Sequence, residues 1–234
     1  MSNSTSSSGA KRLITIAVVV LLAVGFGYFL FKISPQQASQ QANSTYKLNT
    51  SEAKQIPLPP VFEASQDRFQ GSPTAKNVFI EYSDFQCPAC AAYSQILKQV
   101  PTVFKDTVFV YRYFPLEQIH KNAVISSLAA EAAGAQGKYW EMHDLLFAKQ
   151  IEWQDLSDPI EQFAQYAVQI EVPNIEQFKS DITSKKFISK VEKNNNEALG
   201  LSLPGTPSFF FNGHQLKNDT IEGMEKQAQQ YYIK

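Results

Sequence analysis

Hydrophobic and polar positions divide the chain into distinct stretches. Leu13–Phe31 (LITIAVVVLLAVGFGYFLF) runs without a charge, and at 1.5 Å per residue it would reach roughly 28 Å, close to the ~30 Å hydrocarbon core of a bilayer. From Ile33 to about Pro60 the residues are rich in Gln, Ser, Asn, Ala and Pro and show no period, which predicts a tether. Val78–Tyr82 (VFIEY) and Thr107–Phe114 (TVFVYRYF) are apolar, β-rich runs that predict buried strands. Between them a helix is expected from the cysteines to about Phe104, with Pro101 placed to kink or interrupt it. Strand, helix and strand in that order predict a parallel βαβ unit.

From Gln118 to Leu199 the spacing is helical, strongest over Ala123–Ala135 and Tyr139–Phe147. Asp158-Pro159-Ile160-Glu161 reads as a helix start with Asp as N-cap, Pro at the first helical position and Glu at N3; Asn174-Ile175-Glu176-Gln177 reads as another. A further helix is expected over about Lys186–Leu199. Ser208–Phe211 predicts a short strand, Asn212-Gly213 a tight turn, and His214–Leu216 the returning strand. Gly223–Lys234 predicts a closing helix. The expected order is βαβ, a helical block, then ββα.

Composition adds limits. Hydrophobic residues make up 44% of the 234, enough for a real core, and the net charge is -1 with no Lys/Arg run longer than two, so a nucleic-acid partner is not expected. Lys11-Arg12 precede the apolar run and only Lys32 follows it closely, so the positive-inside tendency predicts a cytoplasmic tail at 1–12, a single-pass anchor at 13–31, a tether at 32–62 and an extracytoplasmic domain at 63–234. A cleaved signal peptide is the competing reading. Its apolar core is shorter and ends in small residues, whereas this run ends in Phe29-Leu30-Phe31. Both readings export the domain to where disulfides persist.

The chain has 2 cysteines and 3 histidines. A structural zinc site needs four ligands, so no metal is expected. Cys87-Pro88-Ala89-Cys90 follows a predicted strand and opens a predicted helix. It could be a metal half-site, a structural bridge or a redox pair; the metal half-site lacks its other half, a bridge across so short a loop restricts little chain entropy, and the context favours redox. At a helix start, Cys87 lies beside unpaired N–H groups and the positive dipole end, which stabilise a thiolate, so Cys87 is expected to attack. Cys90, one turn later, is expected to resolve the mixed disulfide. Pro88 fills the first turn without wasting a donor; Ala89 brings no side chain to the sulfur. Glu81 interrupts an apolar strand six residues before Cys87, either as an edge or paired carboxylate or as a buried acid. Asp84 is expected to shape the turn, His120 to be exposed or packed, with a contact near the active site as the alternative, His143 to be structural and His214 to belong to the hairpin. Trp140, Phe147 and Trp153 are assigned to the core; Tyr82, Phe85 and Phe114 either pack or rim a groove.

Four segments occur in order at spacings that resemble the DsbA-like (BdbD-like) branch of the thioredoxin superfamily: Glu81–Cys90, Tyr113-Phe114-Pro115-Leu116, Ala129–Ala133 with Gly137-Lys138-Tyr139-Trp140, and Gly205–Phe210. The resemblance covers about Arg68 to Lys234. It implies an α/β thioredoxin fold with a central mixed sheet and a helical insertion at about 118–200. It implies a cis Thr206-Pro207 bond facing the cysteines, with Thr206, Pro207, Pro88 and Ala89 along the substrate groove, and Glu81 relaying a proton to Cys90. It implies no cofactor, cysteine-containing exported proteins as substrates, a membrane redox partner of quinone-reductase type and a bacterial cell-envelope location. The expected activity is disulfide introduction. A reductase or isomerase on the same scaffold, or a tethered binding or chaperone module with a structural disulfide, are the alternatives.

Overall fold

The computed structural model describes residues 60–233. The anchor expected at 13–31 and nearly all of the tether lie outside the described residues. No helix among the described residues is long and apolar enough to cross a membrane.

The two apolar runs form strands β2 (Asn77–Ser83) and β3 (Thr107–Tyr113), parallel and in register from Asn77 opposite Thr107 to Ser83 opposite Tyr113. A short strand, β1 (Arg68–Gln70), pairs antiparallel with the outer edge of β3. It is too short to show alternation and was not expected from the pattern. β4 (Ser208–Phe211) pairs antiparallel with β2, and β5 (His214–Leu216) closes the hairpin. The sheet order is β1-β3-β2-β4-β5, so β2 is central and reads as a nearly continuous apolar run, as a strand covered on both faces must.

The helix after β2 stops early. α1 spans Pro88–Leu97, and a separate turn, α2 (Val100–Val103), carries Pro101 at its start. Proline is tolerated there because its missing N–H would have no helical partner. The insertion comprises α3 (Ala123–Gly134), α4 (Tyr139–Ala148), α5 (Gln150–Trp153), α6 (Ile160–Gln169), α7 (Ile175–Thr183) and α8 (Ile188–Gly200). Asn174 caps α7, its side chain accepting from Gln177 N at 2.9 Å. At α6 the boundary moves by one: Pro159 is the cap position, and Asp158 accepts from Ile160 N at 3.1 Å. α9 (Ile221–Ala228) covers the end of the sheet and runs into a short 3-10 turn.

Alternation on β2 sends Phe79, Glu81 and Ser83 to one face and Ile80 and Tyr82 to the other. On the first face Phe79 packs with Leu97 of α1, Val100 of α2 and Met224 of α9, and beside Glu81 Tyr111 and Tyr113 pack with Phe85 and with Met142, Phe147 and Trp153 of the insertion. Ile80 and Tyr82 pack with Val108, Val110, Phe210 and Ala198 of α8. Tyr82, Phe85 and Phe114 are therefore core residues, not a groove rim.

Two buried ionic knots fasten the layers. Glu131 of α3, 1% exposed, receives Arg68 of β1 at 2.5 Å, Lys190 of α8 at 2.9 Å and the Tyr113 hydroxyl at 2.6 Å. Arg112, 4% exposed near the end of β3, donates to Asp67, Glu197, the Tyr82 hydroxyl and the Val61 carbonyl. The Val61 carbonyl and the Phe62 ring, 5.2 Å from that of Phe69, thus already tie the start of the described residues to the sheet. Removing one side of a buried ion pair leaves the other charge uncompensated. Arg112→Met is therefore expected to lower the unfolding free energy by about 3–5 kcal/mol, measured by denaturant titration.

Candidate active site

The chain between β2 and α1 is a tight turn held by its own polar side chains and by the insertion. Asp84, buried, accepts from Gln86 N at 2.7 Å through one oxygen. Its other oxygen accepts from Leu116 N at 2.9 Å and pairs with His120 Nδ1 at 2.7 Å. His120 is thus a partner of the turn, the alternative of a contact near the active site, and not an exposed or merely packed residue. Gln86 donates to Gln154 O at 2.8 Å and accepts from Asn122 N at 2.7 Å. Gln150, at the start of α5, donates to Phe85 O at 2.7 Å and to Cys87 O at 3.0 Å. Gln150 and Asn122 went unrecognised in the sequence because an amide in a helical stretch carries no local sign of its distant partner.

This turn sets Cys87 at the N-cap of α1 in extended geometry (φ -74°, ψ 121°), with no side chain capping the helix. The cap place is left to the sulfur. Both cysteines are free thiols. Cys87 is 6% exposed and Cys90 is fully buried; Pro88 and Ala89 between them are exposed. The Cys87 thiol donates to Thr206 O at 3.5 Å, and Thr206-Pro207 is cis. The cysteines and this loop are therefore brought together as expected. The Thr206 hydroxyl is buried without a partner in this state and is placed to donate to the sulfur when the thiolate forms.

The two thiols differ in acidity. Hydrogen bonding from Cys90 stabilises the Cys87 thiolate most; partial burial opposes it, and the Thr206 hydroxyl and the Cys90 and Ala89 N–H groups add to it, bringing Cys87 down to about 6. Burial pushes the Cys90 thiol well up, with the Cys87 sulfur and the charge of Glu81 acting in the same direction.

Glu81 lies on the central strand between Tyr111 of β3 and Phe209 of β4. It is 1% exposed, and its Oε1 has no hydrogen-bond partner. This excludes the edge-facing and ion-paired alternatives. Burial raises its carboxyl to about 8; the Ser83 hydroxyl two residues on opposes this, and the Cys87 charge adds to it. His143 is buried with its Nε2 unpartnered, and His214 stacks on Tyr231 in the hairpin region at 3.9 Å. No cluster that could hold a metal ion occurs among the described residues.

The family described as Thioredoxin matches residues 63–230. Among solved structures, BdbD of Bacillus subtilis is similar with a TM-score of 0.63 at 20% identity, covering 75% of this chain and 94% of that one. MdbA of Corynebacterium diphtheriae, a thiol-disulfide oxidoreductase, is similar with a TM-score of 0.58 at 21% identity, covering 71% of this chain and 90% of that one. At these identities the likeness establishes the fold. A curated relative, the Na(+)/H(+) antiporter NhaA 1 of Mycobacterium sp. (strain KMS), is 36% identical over 160 residues, which are 66% of this chain and 25% of that protein. The chain thus spans about a quarter of the length of that relative.

Two outcomes follow from the acidities. The rate of Cys87 alkylation by iodoacetamide should rise through a midpoint near pH 6, well below an ordinary thiol near ~8.5; an ordinary midpoint would leave only a structural role for the pair. Stability supplies the second. In the folded state Glu81 keeps its proton up to about pH 8, whereas in the unfolded chain it loses it near 4.5. The unfolded state therefore binds fewer protons across that window, and stability falls as pH rises through it. Glu81→Gln cannot ionise, so its stability advantage over the wild type should widen from pH 5 to pH 8 in denaturant melts.

Proposed function

The chain belongs to the thioredoxin family, and on that premise we propose that it is a thiol–disulfide oxidoreductase that introduces disulfides into extracytoplasmic proteins. The observation that carries this is the opposed acidity of two thiols one helical turn apart, with the acidic one against the Thr206 carbonyl. In the oxidised state a substrate thiolate attacks Cys87 Sγ. The Cys87–Cys90 bond breaks, and Cys90 leaves as a thiolate that takes a proton from Glu81. A second substrate thiolate attacks the substrate sulfur of the mixed disulfide and releases Cys87 as a thiolate. The substrate loses two electrons and the protein gains them. Run in reverse during reoxidation, the Glu81 carboxylate takes the Cys90 proton as Cys90 attacks.

Direction follows from which state the fold favours. A stabilised thiolate favours the reduced form and makes the disulfide oxidising. Cys87 near 6 falls between the attacking cysteines of thioredoxin (~7) and DsbA (~3.5). The reductase reading rests on Ala89, which brings no hydrogen-bonding side chain to the sulfur. Groove contacts are assigned to Thr206, Pro207, Pro88 and Ala89, which surround Cys87. The charge-free 13–31 run, anchored with its N-terminus inside, would hold the domain outside the cytoplasm of a bacterial cell, within reach of exported cysteine-containing proteins and of a quinone-reductase-type membrane partner. No cofactor enters this chemistry.

Cys90→Ser should accumulate mixed disulfides with exported proteins through Cys87, seen on non-reducing gels. Trapping that survives Cys87→Ser would sink the assignment. The reduction potential should lie between the ~ -270 mV of thioredoxin and the ~ -120 mV of DsbA; a value at or below the former makes the protein a reductase.

A further inference from the structure

Glu81 keeps its proton up to about pH 8, so after giving one to Cys90 it regains one from solvent, and on reoxidation it must shed one before it can take that of Cys90. Glu81 is 1% exposed, and the Cys87 side is covered whenever a substrate is bound there. Protons need another way in and out.

A cavity of about 200 Å³ supplies one. Glu81 lines it from the sheet, Ser94 and Lys98 from α1, and His143 and Asp144 from α4. None of Cys87, Pro88, Ala89, Thr206 or Pro207 lines it, so a substrate in the groove leaves it open. Its volume holds several waters, and waters settle where buried polar groups lack partners. Two such groups face it: Glu81 Oε1 and His143 Nε2 are both buried and unpartnered. The hydroxyls of Ser83 and Tyr111 are likewise unpartnered, and Tyr111 lies opposite Glu81 in register with its ring 4.8 Å from that of His143. At the outer end, His143 Nδ1 pairs with Asp144 Oδ1 at 3.1 Å, and Asp144 pairs with Lys98 at 2.8 Å. Asp144 and Lys98 are 43% and 47% exposed. The cavity therefore joins a buried acid and a buried imidazole to a half-exposed carboxylate–ammonium pair.

We propose that His143 is a proton relay between Glu81 and solvent, handing protons across the cavity to and from Asp144 and the bulk while substrate occupies the groove. It acts through Glu81 and does not touch the sulfurs. The proton balance closes: one proton enters at Asp144 and His143 for each one that Glu81 gives to Cys90, and the flow reverses on reoxidation. The ring is held by Phe85, Trp140 and Phe147 at 5.5, 5.0 and 5.1 Å. The titratable and charged groups around it are Glu81, Tyr111, Tyr139, Asp144 and Lys98. Burial keeps the imidazole below its ordinary acidity range, against the pull of Asp144, so at neutral pH it is uncharged and able to take a proton.

The inference rests on the role proposed for Glu81, and the test separates the two. Single-turnover disulfide transfer from an oxidised peptide to the reduced full chain, in which Glu81 must shed its own proton before taking that of Cys90, is followed by rapid quench from pH 5 to 9. His143→Phe should slow transfer about tenfold near pH 7, within the range general acid–base groups contribute, and added imidazole should restore the rate. The Cys87 alkylation midpoint should not move. Glu81→Gln should slow transfer with no gain from imidazole. If His143→Phe transfers at the wild-type rate, or slows without imidazole rescue, the relay is wrong while a slow Glu81→Gln leaves the Glu81 role standing. If Glu81→Gln is also at the wild-type rate, both fall. His143→Gln, polar but unable to carry a proton, gives the same contrast should the phenylalanine variant fail to fold.

Discussion

The site depends on keeping a four-residue turn rigid where a helix begins. A helix N-terminus polarises a sulfur only if the sulfur sits at the cap, and the orphan N–H groups act over little more than one turn. Here the cap lacks any side-chain acceptor, and the backbone from Asp84 to Cys87 is held by Asp84 and Gln86 from within and by Asn122 and Gln150 from the insertion. Loosening that clamp would let the first turn fray, and the acidity difference between the two thiols would shrink with it.

The two charged residues embedded in β2 and β3 show how burial is used in opposite ways. Arg112 has its donors satisfied by two carboxylates, a hydroxyl and a carbonyl, so its charge fastens layers. Glu81, one strand away and on the other face, is left short of partners. A carboxylate so deeply buried and without a cation beside it is costly. The cost is tolerable because the group is held protonated, and that same protonation makes it useful to Cys90.

Much of the frame was legible in the sequence because its signals are local. Continuous apolar, β-rich runs marked β2, β3 and β4; Asn174 and Asn212-Gly213 marked a cap and a turn; the cysteine spacing marked the site. What escaped was long-range or too short to have a period. β1 has three residues. The pairing of His120 with Asp84 spans 36 positions, and that of Gln150 with Cys87 spans 63; nothing local in either residue names its partner. The cis bond before Pro207 was expected from family resemblance, since nothing in a Thr-Pro dipeptide distinguishes the isomers. Arg112, a charge inside an apolar strand, was not singled out, because its partners come from three other segments.

The helical insertion supplies Asn122, His143 and Gln150, and the loop leading into it supplies His120, while the βαβ frame supplies the cysteines and Glu81. Nucleophile and tuning groups therefore sit on separable pieces of one chain. Changes within the insertion can shift thiol acidity and proton supply while the sheet, the cysteines and the substrate loop stay as they are. Such a division lets electron affinity drift under selection independently of what the groove accepts, so chains sharing this scaffold can occupy different rungs of a redox ladder with the same four-residue motif.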